Sequence, residues 1–202
     1  MMNSIVLGDP KITLIIHSDP TSLTGWAHGS GHTPVGPAVV VWSDAGIMGL
    51  WFGQENSATA CQELLRQHGL EETESTASTV EIKINDDQAQ QWLDRMFSAP
   101  SKDQSAGIPV VVKGSAFDHD VWQGLCRIPL GEIWSYGELA RSLGRAGAAR
   151  AVGSALGRNQ VAFLIPCHRV VRQNGAIGQF RWGSDVKSAL IDWEAQARQE
   201  ND

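Results

Sequence analysis

In this chain of 202 residues, Cys167 is followed directly by His168 and Arg169. A thiol attacks carbon only as the thiolate, and imidazole or cationic neighbours favour that form. The preceding residues 161–165 are wholly apolar and end at Pro166, which predicts a buried strand delivering the cysteine. Consecutive side chains of an extended segment point to opposite sides. Direct contact between the Cys167 sulfur and the His168 ring is therefore not expected, and a bridging water is the natural proton relay. Glu194 lies one turn after Leu190 in a helical pattern, flanking the apolar stripe, and a carboxylate there needs a partner. It could hold the second ring nitrogen of His168 and complete a Cys–water–His–Glu chain. On spacing alone, an inert buried Cys beside a surface His and Arg fits the same residues.

The remaining cysteines, Cys61 and Cys126, make an odd total and lie far apart, which suits neither a disulfide framework nor a CxxC knuckle. Cys126 adjoins the apolar face of a predicted helix and reads as core. His28 and His32 in HGSGH could clip a metal, but their Gly and Ser neighbours favour a plain loop. No metal or other cofactor is expected.

The elements that position these groups divide the chain in two. Residues 1–32 read as an extension with one strand-like run at 12–16. Runs at 38–42 and 47–52 flank the turn Ser43-Asp44-Ala45-Gly46 and predict a hairpin. A helix over 58–67, a strand alternating through Val80, Ile82 and Ile84, and a helix over 87–96 complete an α+β unit at 33–107. Residues 98–107 (SAPSKDQSAG) read as its closing linker. The second unit, 108–202, is mostly helical. Ser115 can cap a helix carrying Phe117, Val121, Trp122 and Leu125. Ser135 and Glu138 form a capping box opening a helix to Leu143, and Gly144 separates it from a helix over 148–156. These two short helices are a helix-turn-helix candidate. The last helix, 185–198, should bury Val186, Leu190, Trp193 and Ala197.

Charge is distributed unevenly. The formal net charge is −6, yet residues 127–187 hold nine basic and three acidic residues. A basic half on an acidic body is what local contact with phosphates requires. No apolar run reaches the ~20 residues of a membrane span. The start has no basic n-region or cleavage site, so a cytoplasmic protein is expected.

Ile165-Pro-Cys-His-Arg-Val170 resembles the active-site motif of the O6-alkylguanine-DNA alkyltransferases, and the similarity runs from GSAFDHDVWQGL through NGAIGQFRWG. TPVGPAVVVWSDAGIMGLWFG is similar to the family's more variable first domain. QFRWG is nearest to bacterial adaptive-response members, without their Cys-rich zinc domain. The resemblance implies an RNase H-like N-terminal domain and a C-terminal domain with a winged-helix-like helix-turn-helix. It implies irreversible transfer of one alkyl group from O6-alkylguanine, and O4-alkylthymine, in double-stranded DNA to Cys167. His168 would be the water-mediated base, Glu194 its orienting partner, and Asn159 the hinge residue tying the helix-turn-helix to the active-site segment. Tyr136 would crowd the target phosphate and donate to guanine. Arg150 would fill the gap left by the flipped base in a minor-groove complex, with further DNA contacts from Gly137, Arg145 and Gln173. Backbone groups of Cys167, Val170 and Arg181 would read the guanine edge. Trp182, where some members carry a small residue, would overlie the alkyl group, and Phe180 stands where Tyr is common. A monomer is implied. A lesion-binding protein without catalysis, a transcriptional regulator and a Cys–His hydrolase are the rival readings.

Overall fold

The computed structural model describes residues 3–6, 12–16, 23–53, 56–68, 82–98 and 107–199. The strongest pattern in the chain, the β-branched and aromatic hairpin, builds its centre. β1 (Asn3–Val6), β2 (Ile12–Ile16), β3 (Ala27–Thr33), β4 (Gly36–Ser43), β5 (Gly46–Phe52), β6 (Lys83–Ile84) and β7 (Ile108–Val112) form one sheet in the order β1-β2-β7-β5-β4-β3-β6. β4 and β5 pair antiparallel across the expected turn, whereas β7 joins β2 and β5 in parallel. Every residue of β5 is buried, because both sheet faces are covered.

One face carries α1 (Ser57–His68), whose Cys61, Leu64 and Leu65 pack with Trp26, Val39, Val41, Met48 and Trp51. The other face carries α2 (Asp86–Phe97) and the helices of the second half; Ala89, Leu93 and Met96 join Val40, Ile47 and Leu50 there. Asn85 caps α2 by accepting from the Gln88 amide at 2.9 Å.

The HGSGH segment is not a loop. It is β3, fully paired with β4, and its glycines have a packing reason. A Cβ on Gly29 would lie 2.5 Å from the Asn85 carbonyl oxygen, and one on Gly31 would lie 2.8 Å from Leu93. Only glycine lets α2 approach this strand so closely. His28 and His32 consequently serve as strand residues, with no cluster of metal-ligating groups among the described residues.

Of the expected third strand, Ile84 lies in the two-residue β6 and is 70 % exposed, Ile82 precedes it, and Val80 lies outside the described residues. Most of the expected linker also lies outside them. β7, placed by sequence at the head of the second unit, is a member of the sheet. So are β1 and β2 from the segment read as an extension.

The second half is helical as its caps predict. α3 (Ala116–Leu125) begins at a capping box in which Ser115 and Asp118 satisfy each other's backbone. α4 (Tyr136–Ser142) begins at the Ser135–Glu138 box, α5 (Ala149–Gly157) follows, and α6 (Ser184–Gln199) closes the fold. The Trp122 indole donates to the Ala155 carbonyl at 3.0 Å and pins α5 to α3. A two-stranded parallel pair, β8 (Trp134–Ser135) with β9 (Val170–Val171), joins the start of α4 to the segment just after Cys167.

Residues 161–165 are buried, but they are not a strand. Val161 makes a single bridge to Leu50, and the chain then turns, with Ile165 donating back to the Val161 carbonyl at 3.1 Å. Cys167–Arg169 is one turn of 3-10 helix, not an extended segment. Apolar content was the only strand signal here. It cannot distinguish a buried turn, whose polar backbone is satisfied locally and by the side chain of Asn159.

Candidate active site

Cys167 lies where the buried turn meets α4, α5 and α6. Asn159, just beyond the end of α5, arranges it. Its side-chain nitrogen donates to the Ile165 carbonyl at 2.9 Å and to the Cys167 sulfur at 3.2 Å, while its oxygen accepts from the Val161 amide at 2.9 Å. One buried amide thereby shapes the turn and touches the thiol. Burial pushes the Cys167 thiol up to about 11, against the Asn159 hydrogen bond and the Lys187 charge, which favour the thiolate.

His168 is fully enclosed, and its Nε2 lies 2.8 Å from Glu194 Oε1. Arg169 closes the same group: its Nε lies 2.9 Å from Oε2 and its Nη2 lies 2.8 Å from Oε1 of Glu194. Burial alone would raise the Glu194 carboxyl, but hydrogen bonds and charge from His168 and Arg169 bring it down to about 2. Burial lowers the His168 pKa despite Glu194, so the imidazole is neutral at pH 7 and carries its charge only in acid. An ionised carboxylate facing Nε2 fixes the proton there and leaves the lone pair on Nδ1. Nδ1 is buried without a hydrogen-bond partner among the described residues. That is the atom a proton from Cys167 would reach.

Cys167 opens into a groove of about 1160 Å³ whose walls include Tyr136, Arg150, Gly153, Arg181, Trp182 and Lys187. Arg150 is exposed on the first turn of α5, and Gly153 leaves the flank of that helix flat beside Tyr136. Burial, and then the Cys167 charge, raises the Tyr136 phenol, so it stays a proton donor.

Trp182 lines the groove but also packs against both hydrophobic clusters of the protein, edge-on to Phe180 at 4.9 Å. Val170 is buried in β9. Arg145 is turned away from the groove, paired with Asp120 at 3.0 Å and lying over the Phe117 ring. Gly137 and Gln173 are not among the residues that line it, whereas Arg172 is.

Two partners were missed from sequence. Lys187 is buried and its ammonium donates to the carbonyls of Val170 at 2.6 Å and Ile177 at 2.8 Å. Its place, three residues before Leu190 and seven before Glu194, is on the inner face of α6, a signal that was available. Leu190, Lys187 and Glu194 are the buried residues of that helix, while Val186, Trp193 and Ala197 are half-buried. Arg169 is the other partner, and nothing in its spacing announced a bond to Glu194.

Comparison with known proteins bears on this arrangement. Residues 116–196 match the family model of the 6-O-methylguanine DNA methyltransferase, DNA binding domain. The methylated-DNA–protein-cysteine methyltransferase of Methanosarcina barkeri is 33 % identical over 162 residues, 80 % of this chain and 92 % of that one. The regulatory protein ada of Salmonella typhimurium is 48 % identical over 96 residues, but these are only 27 % of its length. The chain likewise spans 53 % of the inducible Bacillus subtilis methyltransferase. A structure of Mycobacterium tuberculosis OGT in complex with DNA superposes with a TM-score of 0.63 at 26 % identity, covering 85 % of this chain and 94 % of that one. The mixed α+β fold is thus one already known to accommodate DNA in a similar protein.

Proposed function

The chain belongs to the methylated-DNA–protein-cysteine methyltransferase family, and we propose that it repairs DNA by moving the alkyl group of an O6-alkylguanine irreversibly onto Cys167. The observation that carries this reading is a cysteine that lines an open groove and is held by Asn159, followed in the chain by the buried His168–Glu194–Arg169 group. A thiol raised to about 11 by burial suits a reaction in which it is ionised once and is then consumed as a thioether.

The reaction follows from the geometry. A water relays the Cys167 proton to His168 Nδ1, and the imidazolium so formed is held by the Glu194 carboxylate at 2.8 Å. The thiolate lone pair attacks the alkyl carbon, forming the C–S bond as the C–O6 bond breaks. The O6 electron pair stays on guanine, and the Tyr136 hydroxyl donates a hydrogen bond to the departing base. A thioether has no easy route back, so each molecule acts once and needs no cofactor.

An O6-alkyl group inside a duplex is out of reach, so the nucleotide must be extruded at a cost of a few kcal/mol. Arg150, exposed at the entrance to α5, fills the vacated stack, and the small residues of that helix fit it to a minor groove. Backbone groups of Cys167, Val170 and Arg181 read the guanine edge. Gly137, Arg145 and Gln173 lie outside the groove wall, so any DNA contact they make is with flanking phosphates, and Arg145 must first leave Asp120. O4-alkylthymine is a second substrate on the same chemistry. The fold reading extends to an RNase H-like first half and a winged-helix-like α4–α5 pair. No described helix is long and apolar enough to cross a membrane. On the family resemblance, we read the protein as a cytoplasmic monomer.

The test is a titration of a duplex oligonucleotide carrying one O6-methylguanine. Lesion loss should reach a plateau at one lesion per protein molecule. Continued turnover past that point contradicts the reading.

A further inference from the structure

Among the described residues, Phe163 is the non-glycine residue with a positive φ, 65°. A bulky side chain adopts that backbone only when its surroundings hold it there. Here those surroundings come from both halves of the protein. Phe97, at the end of α2, stacks on the Phe163 ring with centroids 4.2 Å apart and planes 10° from parallel. Trp193 of α6 meets both rings edge-on, at 5.1 Å from Phe97 and 5.6 Å from Phe163. Phe52 of β5 backs Phe97 from behind at 6.4 Å. Phe163 also lies near-parallel to His168, with ring centroids 5.9 Å apart and planes 14° from parallel.

The imidazole is thus held on its Nε2 edge by Glu194 and flanked by a near-parallel phenyl ring whose centroid lies 5.9 Å away. We propose that Phe163 and Phe97 are positioning residues for the alkyl transfer: an aromatic clamp, reaching from the sheet-bearing half, that fixes the plane of His168 and favours its imidazolium as Cys167 loses its proton. The inference rests on the alkyl-transfer reading and adds to it a role for α2.

The physical case is one of charge. An aromatic face carries negative electrostatic potential and attracts a cation stacked over it more than a neutral ring. Among the described residues, Glu194 of α6 is the carboxylate that faces His168, while Arg169 of its own turn and Lys187 of α6 oppose a further positive charge. Cys167 supplies the counter-charge once ionised. Residues 161–165 and α2 bring rings to this site and no charged group that acts on His168. The left-handed turn at Phe163 is what points a ring at the imidazole, and Phe97 is what keeps the ring flat against it.

The experiment measures single-turnover methyl transfer from an O6-methylguanine duplex by wild type, Phe163→Leu, Phe97→Leu and Phe97→Tyr across the pH range in which the protein stays folded. Both leucine variants should lose about three- to tenfold in rate near pH 7, between the sizes expected of an exposed and of a fully desolvated cation–ring contact. The loss should shrink as pH rises towards the thiol's own ionisation at about 11, where the His168 base is no longer needed. Phe97→Tyr should keep the wild-type profile, and duplex affinity should not change in any variant. If Phe163→Leu does not fold, Phe97→Leu, at a half-buried position, makes the same test. A loss equal at every pH, or none, overturns the clamp while leaving the transfer reading intact. A wild type that transfers no methyl group overturns both.

Discussion

Replacing Glu194 by Gln tests the network around His168 with an almost isosteric change. The carboxylate is 1 % exposed, and its pKa is held near 2 against a reference of 4.5. A depression of that size corresponds to about 3 kcal/mol of folding stability at neutral pH, within the ~3–5 kcal/mol typical of removing one partner from a buried ion pair. In a domain this large, that is a fall in Tm of roughly 6–12 °C. The sign with pH is fixed. A carboxyl whose folded pKa is depressed contributes fully above its unfolded value, and the contribution fades as pH falls through 4.5 towards 2. The gap between wild type and Glu194→Gln should therefore be constant above about pH 5.5 and narrow to about 2 kcal/mol by pH 3.5. Urea unfolding of both proteins along that range measures it. The variant should also transfer methyl groups more slowly at neutral pH, because His168 loses the group that fixes its proton on Nε2. A Tm within about 2 °C of wild type, or a gap that does not vary with pH, would refute the buried ionised carboxylate.

Three further outcomes follow from the site. Asn159→Ala removes all three bonds of that amide and should destabilise the fold by about 2–4 kcal/mol; the Cys167 thiol, titrated by its ultraviolet absorbance, should ionise at higher pH, and an unchanged titration would show that Asn159 does not act on the sulfur. Arg150→Ala should slow repair of duplex DNA at least tenfold more than reaction with free O6-benzylguanine, an energy of about 1.4 kcal/mol or more; equal losses on both substrates would make it a structural residue. Trp182→Gly should speed inactivation by O6-benzylguanine through a wider groove and also lower Tm, since the indole packs against both clusters. A lower Tm with unchanged inactivation would mean that the indole supports the wall without limiting access.

What could be read from the sequence and what could not divides by how local the physics is. The Ser115 cap, the Ser135 capping box, the β4–β5 hairpin and the buried stretch before Cys167 are set by neighbours a few residues away, and the chain forms them. The buried stretch was nevertheless assigned the wrong backbone. A run of apolar side chains reports burial, while the turn depends on Asn159, whose partners at Val161, Ile165 and Cys167 are tertiary in effect. The same limit explains β3. Gly29 and Gly31 look like loop residues until α2 is laid against them. Glu194 was legible as a carboxylate in need of a partner and finds His168 as expected. Arg169 and Lys187 were not, because their partners are groups that only the folded chain brings near. The family motif implies roles for the residues around Cys167; the outward turn of Arg145 towards Asp120 is a contact that no motif carries.

The central claim is that one thiol, Cys167, takes the alkyl group, although Cys61 and Cys126 are also buried cysteines. Cys61, like Cys167, is raised by burial to about 11, but it packs in the apolar core beneath α1 and is not among the residues that line the groove beside Cys167. The most direct measurement is mass spectrometry of the intact protein and its peptides after incubation with excess O6-methylguanine duplex. The account predicts a single added methyl group per molecule, found on the peptide containing Cys167 and absent from Cys167→Ala. A methyl group on Cys61 or Cys126, or a protein left unmodified while the lesion disappears, would contradict it.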